Sequence, residues 1–240
     1  MEWYYAKELR ATAQYVFGHT PEQAKLHMEL EPIVDKLWSS GERDFSWYDT
    51  PMYAYSCVEC FLDFTKQGAH GFAEWLIGEG AKYEVKTVID WCCGIGASTR
   101  YMMQKAPGVQ FIAHNYPGAR AQSYVANRIL QPVGNGVLVA GEGDEFPSFD
   151  AIAAFELLEH ERQPLAVIDG WANLGVKVIG EVSSFHIDNY GHFPVYDLDG
   201  DFIQREDAAR VFTKRMKERG WVNAWSGWNG KPRVWVKVTA

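Results

Sequence analysis

The chain is poor in cysteine, in positive charge and in long apolar runs. Its four cysteines are Cys57, Cys60, Cys92 and Cys93, which without a secretion signal read as reduced thiols. Cys57 and Cys60 form one C-x-x-C. A zinc site wants a second pair, which the vicinal Cys92 and Cys93 supply poorly, so the first pair reads as small buried hydrophobes. Lys and Arg number 23 against 31 Asp and Glu. That balance disfavours nucleic acid as the main partner, because phosphate contacts need clustered cations. No apolar run approaches the roughly 20 residues of a membrane-spanning helix. The opening "MEWYYAKELR" lacks the basic start and apolar run of a signal peptide, and "KVTA" is no lipidation signal. The expected location is therefore cytoplasmic, with reduced thiols and no membrane partner. Internal repeats and low-complexity segments are also missing.

What is present is apolar and patterned. Hydrophobic residues make up 47% of the 240, enough for one sizeable α/β domain with an appendage. Residues 1–80 read as a helical, aromatic-rich lid or cap. "TPEQ" at Thr20 offers a capping Thr, a Pro at the first helical position and a Gln three residues after the cap. Leu26, Leu30, Ile33 and Leu37 follow at helical spacing, interrupted by Pro32. Residues 56–78 are helical in pattern, weakened by Gly68 and Gly71. Phe45, Trp47, Tyr48, Tyr53 and Tyr55 form a band of rings that serves either as core or as an acceptor contact.

Over residues 81–240 the texture changes. "KTVID", "VQFIAH", "GVLVA", "FDAIAAF" and "VKVIGEV" are short apolar runs, separated mostly by helical patterns near 98, over 118–130 and near 157–173. Such alternation predicts βαβ units and a doubly wound, mostly parallel sheet with both faces covered. A helix over 204–219 stops at Gly220, and "WVNAWSG" and "PRVWVKV" flank Asn-Gly, a hairpin signal. "DLDGD" at 197–201 lacks the loop length of a calcium site and reads as an acidic turn.

"VIDWCCGIGASTRYM" holds the strongest local signal. Gly94 and Gly96 let the backbone approach a ligand at the start of a helix, beyond the carboxyl end of a strand. A tight turn with no ligand is the plain alternative. A dinucleotide fingerprint wants a third glycine where Thr99 stands. Asp90 ends the strand, and an acid there repels a pyrophosphate but suits a cationic or zwitterionic ligand.

"VIDWCCGIGAST", "FDAIAAFELLEH", "GHFPVY" and "RVFTKRMKERGW" together resemble the ordered landmarks of class I S-adenosylmethionine-dependent methyltransferases, from Lys86 to the C-terminus. The resemblance implies a Rossmann-like fold with a terminal antiparallel strand, and S-adenosylmethionine as cofactor. Carried over, Asp90, Gly94 and Gly96, with Trp91 and Cys92 beside them, hold its methionine part, and Cys92 stands where the family has its first glycine. The family's ribose-binding acid is replaced by His114 or Asn115. Glu142, with Asp144 as an alternate register, takes the adenine amino group, a solvated loop acid being the plain alternative, and Phe155 completes the cofactor set.

"FELLEH" follows the fourth apolar run. On a helix, Glu156 and Glu159 or His160 share a face, and two carboxylates with an imidazole suit Mg, Mn or Zn. The E-x-x-E-H pattern resembles that of small-RNA 3′-end 2′-O-methyltransferases and ubiquinone-pathway O-methyltransferases, where it binds a metal. His186 or His192 is a candidate further ligand. The alternative is a capping Glu and a packed His. If the acceptor is a hydroxyl, His160 and His192 are the candidate bases, with His186 behind them. Arg205, Arg210, Lys214, Arg215, Lys217 and Arg219 mark the last helix as a solvated face or an RNA contact. No D-P-P-Y-type motif or Pro-Cys nucleophile is present, against DNA base methylation. The expected function is methyl transfer to a small-molecule oxygen or nitrogen. RNA 2′-O-methylation at a metal site, or a non-catalytic cofactor-binding scaffold, are the alternatives.

Overall fold

A computed structural model describes residues 65–116, 119–130, 134, 136–139, 147–188, 192–227 and 232–238. The Thr20 cap, the Cys57–Cys60 pair, the aromatic band, Glu142 and Asp144 lie outside the described residues.

Seven strands form the main sheet: β1 (Thr87–Trp91), β2 (Gln110–His114), β3 (Gly136–Val139), β4 (Ala151–Phe155), β5 (Val178–Val182), β8 (Trp221–Ser226) and β9 (Arg233–Lys237). Between β5 and β8 lies a separate hairpin, β6 (Val195–Leu198) and β7 (Asp201–Gln204). The sheet order is β3-β2-β1-β4-β5-β9-β8. The first five strands pair in parallel, and β9 joins β5 antiparallel, as does β8 with β9. The alternating apolar runs thus produce the doubly wound sheet expected of them, with the terminal hairpin adding the antiparallel edge.

Register explains why these strands are apolar throughout. Ile89 aligns with Ile112 and Ile152, and Ile152 with Ile179. This row meets Leu165, Ile168 and Trp171 of α4 (Pro164–Asn173) and Ala208, Phe212 and Met216 of α5 (Arg205–Glu218). The opposite face carries Val88, Phe111, Ala153 and Val178. It meets α1 (Lys66–Gly78), α2 (Ala97–Lys105) and α3 (Arg120–Leu130). With both faces covered, the interior positions of β1, β2, β4 and β5 are all buried, and the polar alternation of a half-exposed strand disappears. Residues 66–78 pack on the sheet itself: Phe72 fills the space above Gly180, where a Cβ would lie 2.6 Å from the ring.

Two local expectations change. The helix expected near 157–173 is broken into a 3-10 turn, Leu158–His160, and α4. Pro164 disfavours a helical Gln163, so the chain leaves the helical path and restarts with Pro at the first position. The acidic segment "DLDGD" is a turn, and it joins a hairpin that sequence alone did not indicate. Asp199 and Gly200 take φ of 65° and 84°, the left-handed pair that closes a two-residue hairpin. The hairpin's acids bind α5. Arg215 donates to Asp201 at 2.7 Å, and Arg219 reaches Asp199 as well as Asp169. Arg205 pairs with Asp188, Arg210 with Asp207 and Lys214 with Glu218. Most of this helix's cations therefore face carboxylates of the same chain rather than a free basic stripe. Among the described residues no helix is long and apolar enough to cross a membrane.

Candidate active site

The carboxyl ends of the parallel strands β1, β2, β4 and β5 lie along one edge of the sheet. Thr65, just before α1, accepts a hydrogen bond from Ser98 in the first turn of α2 at 3.4 Å. Between β1 and α2 runs the glycine turn. Cys92, Gly94 and Gly96 take φ of 59°, 57° and 74°. Cys92 thus keeps the conformation that a glycine would adopt at that position. A left-handed non-glycine residue costs on the order of 1 kcal/mol. Its side chain is exposed.

Asp90 lies beneath this turn and is 2% exposed. Its Oδ2 accepts a hydrogen bond from Thr99 Oγ1 at 2.6 Å. Burial raises its pKa to about 7, an effect that the Thr99 bond partly offsets. Thr99 was legible only as a missing third glycine. Its placement three residues into α2 after Gly96 turns its hydroxyl back to the strand end.

The β2 end carries the two candidates for the ribose contact, and the structure separates them. Asn115 is 3% exposed. Its Oδ1 accepts from the Gly94 N–H at 2.9 Å, and its Nδ2 donates to the Gly94 carbonyl at 2.7 Å and to Ser123 Oγ at 3.3 Å. This amide is committed to the glycine turn. His114 is partly buried against Trp91, with ring centroids 4.5 Å apart, and burial pushes its pKa down to about 4. Trp91 also meets Phe149 and Trp171. Phe155, grouped with the cofactor residues from sequence, packs edge to face on Phe72 within the core on the α1 side.

Gly96 is fixed by space as well as by φ, since a Cβ there would lie 3.2 Å from the Ala126 Cβ of α3. Gly96→Val is expected to lower stability by about 1–3 kcal/mol, read as a lower urea midpoint. An unchanged midpoint would contradict the packing described.

A second group forms where β4 and β5 end. Glu156 is not helical: its φ is 51°, and its backbone N–H donates to the Val182 carbonyl at 2.8 Å. Glu156 and Glu159 therefore do not share a helix face, which corrects the geometry expected from spacing. Glu156 Oε1 accepts from Ser184 Oγ at 3.2 Å. Glu159 is 0% exposed, and its Oε1 accepts from the Ser184 N–H at 2.9 Å. Its Oε2 is buried without a hydrogen-bond donor. Burial and the neighbouring Glu156 hold its pKa well above the ordinary carboxylate range.

Ligand atoms of Glu159, His160 and His192 lie within 4.8 Å of one another. The two imidazoles meet edge to face, with centroids 4.8 Å apart. Ile187 O can only accept, so His192 Nδ1 donates to it at 2.9 Å and Nε2 keeps its lone pair. Burial lowers the His192 pKa. His186 is exposed, so of the two candidate further histidines His192 is the one placed here.

No protein-family model matches the chain, and no curated protein matches it. Solved structures do resemble it. An O-methyltransferase family protein from Burkholderia thailandensis aligns with a TM-score of 0.50 and 14% identity, over 75% of this chain and 59% of that one. Magnesium protoporphyrin IX methyltransferase from Synechocystis, solved with bound SAM, aligns with a TM-score of 0.49 and 16% identity, over 82% and 86%. The chain therefore spans less than two thirds of the Burkholderia protein and most of the Synechocystis one. The mostly parallel sheet with its antiparallel edge is the Rossmann-like fold of class I methyltransferases.

Proposed function

We propose that this chain transfers a methyl group from S-adenosylmethionine to the oxygen or nitrogen of a small molecule. One observation carries the reading: a buried carboxylate, Asp90, beneath a left-handed glycine turn at the carboxyl edge of a parallel sheet. A carboxylate there repels a pyrophosphate and attracts an ammonium or sulfonium. The Gly94 N–H that a phosphate would seek is already taken by Asn115. The residues present therefore fit an S-adenosyl ligand better than a dinucleotide. Asp90 would face its amino group beneath the turn that Gly94 and Gly96 shape, with Trp91 and Cys92 flanking it. His114 would face the ribose, and Glu142 the adenine. Bound there, the cofactor supplies an electrophilic methyl group on a sulfonium.

The chain's own work is then to position the acceptor and exclude water. The proposed lid is the segment that precedes Thr65, a residue that meets Ser98 in the first turn of α2. For a hydroxyl acceptor, His192 Nε2 is the favoured base, because burial keeps the imidazole neutral at pH 7. His160 stands next to it.

A second reading of the same edge is favoured by the orphaned Glu159 Oε2. One carboxylate and two imidazoles suit a divalent ion such as Zn or Mn. When bound, such an ion would polarise an acceptor hydroxyl. An RNA acceptor draws no support from α5, whose cations are largely paired.

Titration of S-adenosylhomocysteine into the full chain tests the reading. At a hundredfold excess over Kd the ligand should stabilise the fold by about 2.7 kcal/mol, a rise of several degrees in Tm. No heat of binding and no rise in Tm would refute it. Binding without methyl transfer to any hydroxyl or amine acceptor would instead favour the scaffold alternative.

A further inference from the structure

The geometry points to Asn115 as a positioning residue that holds the glycine turn in its ligand-binding shape, an inference that rests on the cofactor reading above. The parallel ladder between β1 and β2 runs one rung beyond the strands: the Cys93 N–H donates to the His114 carbonyl at 2.8 Å. At the next rung the β2 backbone has left the sheet. The Asn115 side chain takes over and bonds both the N–H and the carbonyl of Gly94, at 2.9 and 2.7 Å. A primary amide offers one acceptor and a donor in the plane of a peptide group, so it imitates the missing strand. Aspartate lacks the donor, and serine cannot span both atoms.

The clamp acts at a position where the backbone has real alternatives. Gly94 has φ of 57° and lies between two further left-handed residues, Cys92 and Gly96. A glycine peptide is free to turn over. With both polar atoms of Gly94 bonded to Asn115, that rotation is blocked, and the turn keeps a single shape above Asp90. Ser123 of α3 accepts the remaining Nδ2 proton at 3.3 Å, which fixes the amide's orientation. The amide is 3% exposed and all three contacts are internal, so it works through the turn rather than by touching a ligand.

Two ligands separate this role from general stability. S-adenosylhomocysteine has an amino-acid end that would lie at the turn. 5′-Methylthioadenosine keeps the adenosine and the sulfur but lacks that end. Asn115→Ala removes both bonds to Gly94 and should raise the Kd of S-adenosylhomocysteine at least about tenfold. The Kd of methylthioadenosine should stay within about twofold. Asn115→Asp keeps the acceptor for the N–H and sets a carboxylate against the Gly94 carbonyl. It should show the same selective loss, and it serves if the alanine variant does not fold. Equal losses for both ligands, or an unchanged Kd for S-adenosylhomocysteine, would overturn the inference. Wild-type protein that binds neither ligand would defeat the cofactor reading and this inference with it. Wild-type binding with unaltered variants would defeat the inference alone.

Discussion

Asp90→Asn should weaken S-adenosylhomocysteine binding by about 10- to 100-fold while stabilising the free protein at pH 8. The two effects share one cause. Burial lifts the Asp90 pKa to about 7 in the fold, against about 3.9 in an unfolded chain. The folded state therefore holds the proton more tightly. The stability this contributes is fully present below the unfolded pKa and is lost as pH rises through about 7. At pH 8 the wild-type chain carries an ionised buried carboxylate, whereas asparagine carries no charge and still accepts from Thr99. The ligand's ammonium reverses the balance by pairing with the ionised form. Wild-type affinity should therefore rise between pH 6 and pH 8, and the variant's should not. Calorimetry at both pH values, with thermal melts of the free proteins, checks this. Equal affinities, or the same pH profile in both proteins, would contradict the role of Asp90.

The other large effect belongs to His192. If Glu159, His160 and His192 hold a divalent ion, the purified chain should bind Zn or Mn in a one-to-one ratio. His192→Ala should cost at least the roughly 10- to 100-fold in metal affinity that follows loss of even an outer-shell partner. S-adenosylhomocysteine affinity should be unchanged, since the glycine turn uses other residues. Glu159→Gln should also lose metal. It keeps an acceptor for the Ser184 N–H and matches the neutral acid that burial beside Glu156 favours, so the metal-free protein should not lose Tm. A purely structural trio gives the opposite pattern: no metal in elemental analysis, and a lower Tm for His192→Ala.

Much of this arrangement was legible from spacing. Five apolar runs separated mostly by helical patterns predicted the parallel sheet, because strands buried on both faces have no polar alternation to hide them. Asp90, Gly94 and Gly96 were legible because a strand end, an acid and two glycines fall within seven residues. Other features depended on information that spacing does not carry. "FELLEH" has helical spacing, but Pro164 and the left-handed Glu156 break the helix there, so the carboxylates meet through Ser184 instead. His192 and His186 are equivalent in sequence, and only the path into β6 separates the buried from the exposed ring. The Asn115 clamp joins residues 21 positions apart. Nothing in "FIAHNYPGA" says whether that amide faces a ligand or its own chain. Arg215 and Arg219 read as part of a basic face until the β6–β7 hairpin brought Asp199 and Asp201 against them.

A crystal structure of the full chain with S-adenosylhomocysteine tests most directly whether the β1–α2 turn is a cofactor site. The ligand's amino group is expected beside Asp90, its ribose at His114, and the Asn115 amide still bonded to Gly94. Ligand bound elsewhere, or a ligand-free crevice at saturating concentration, would contradict the assignment.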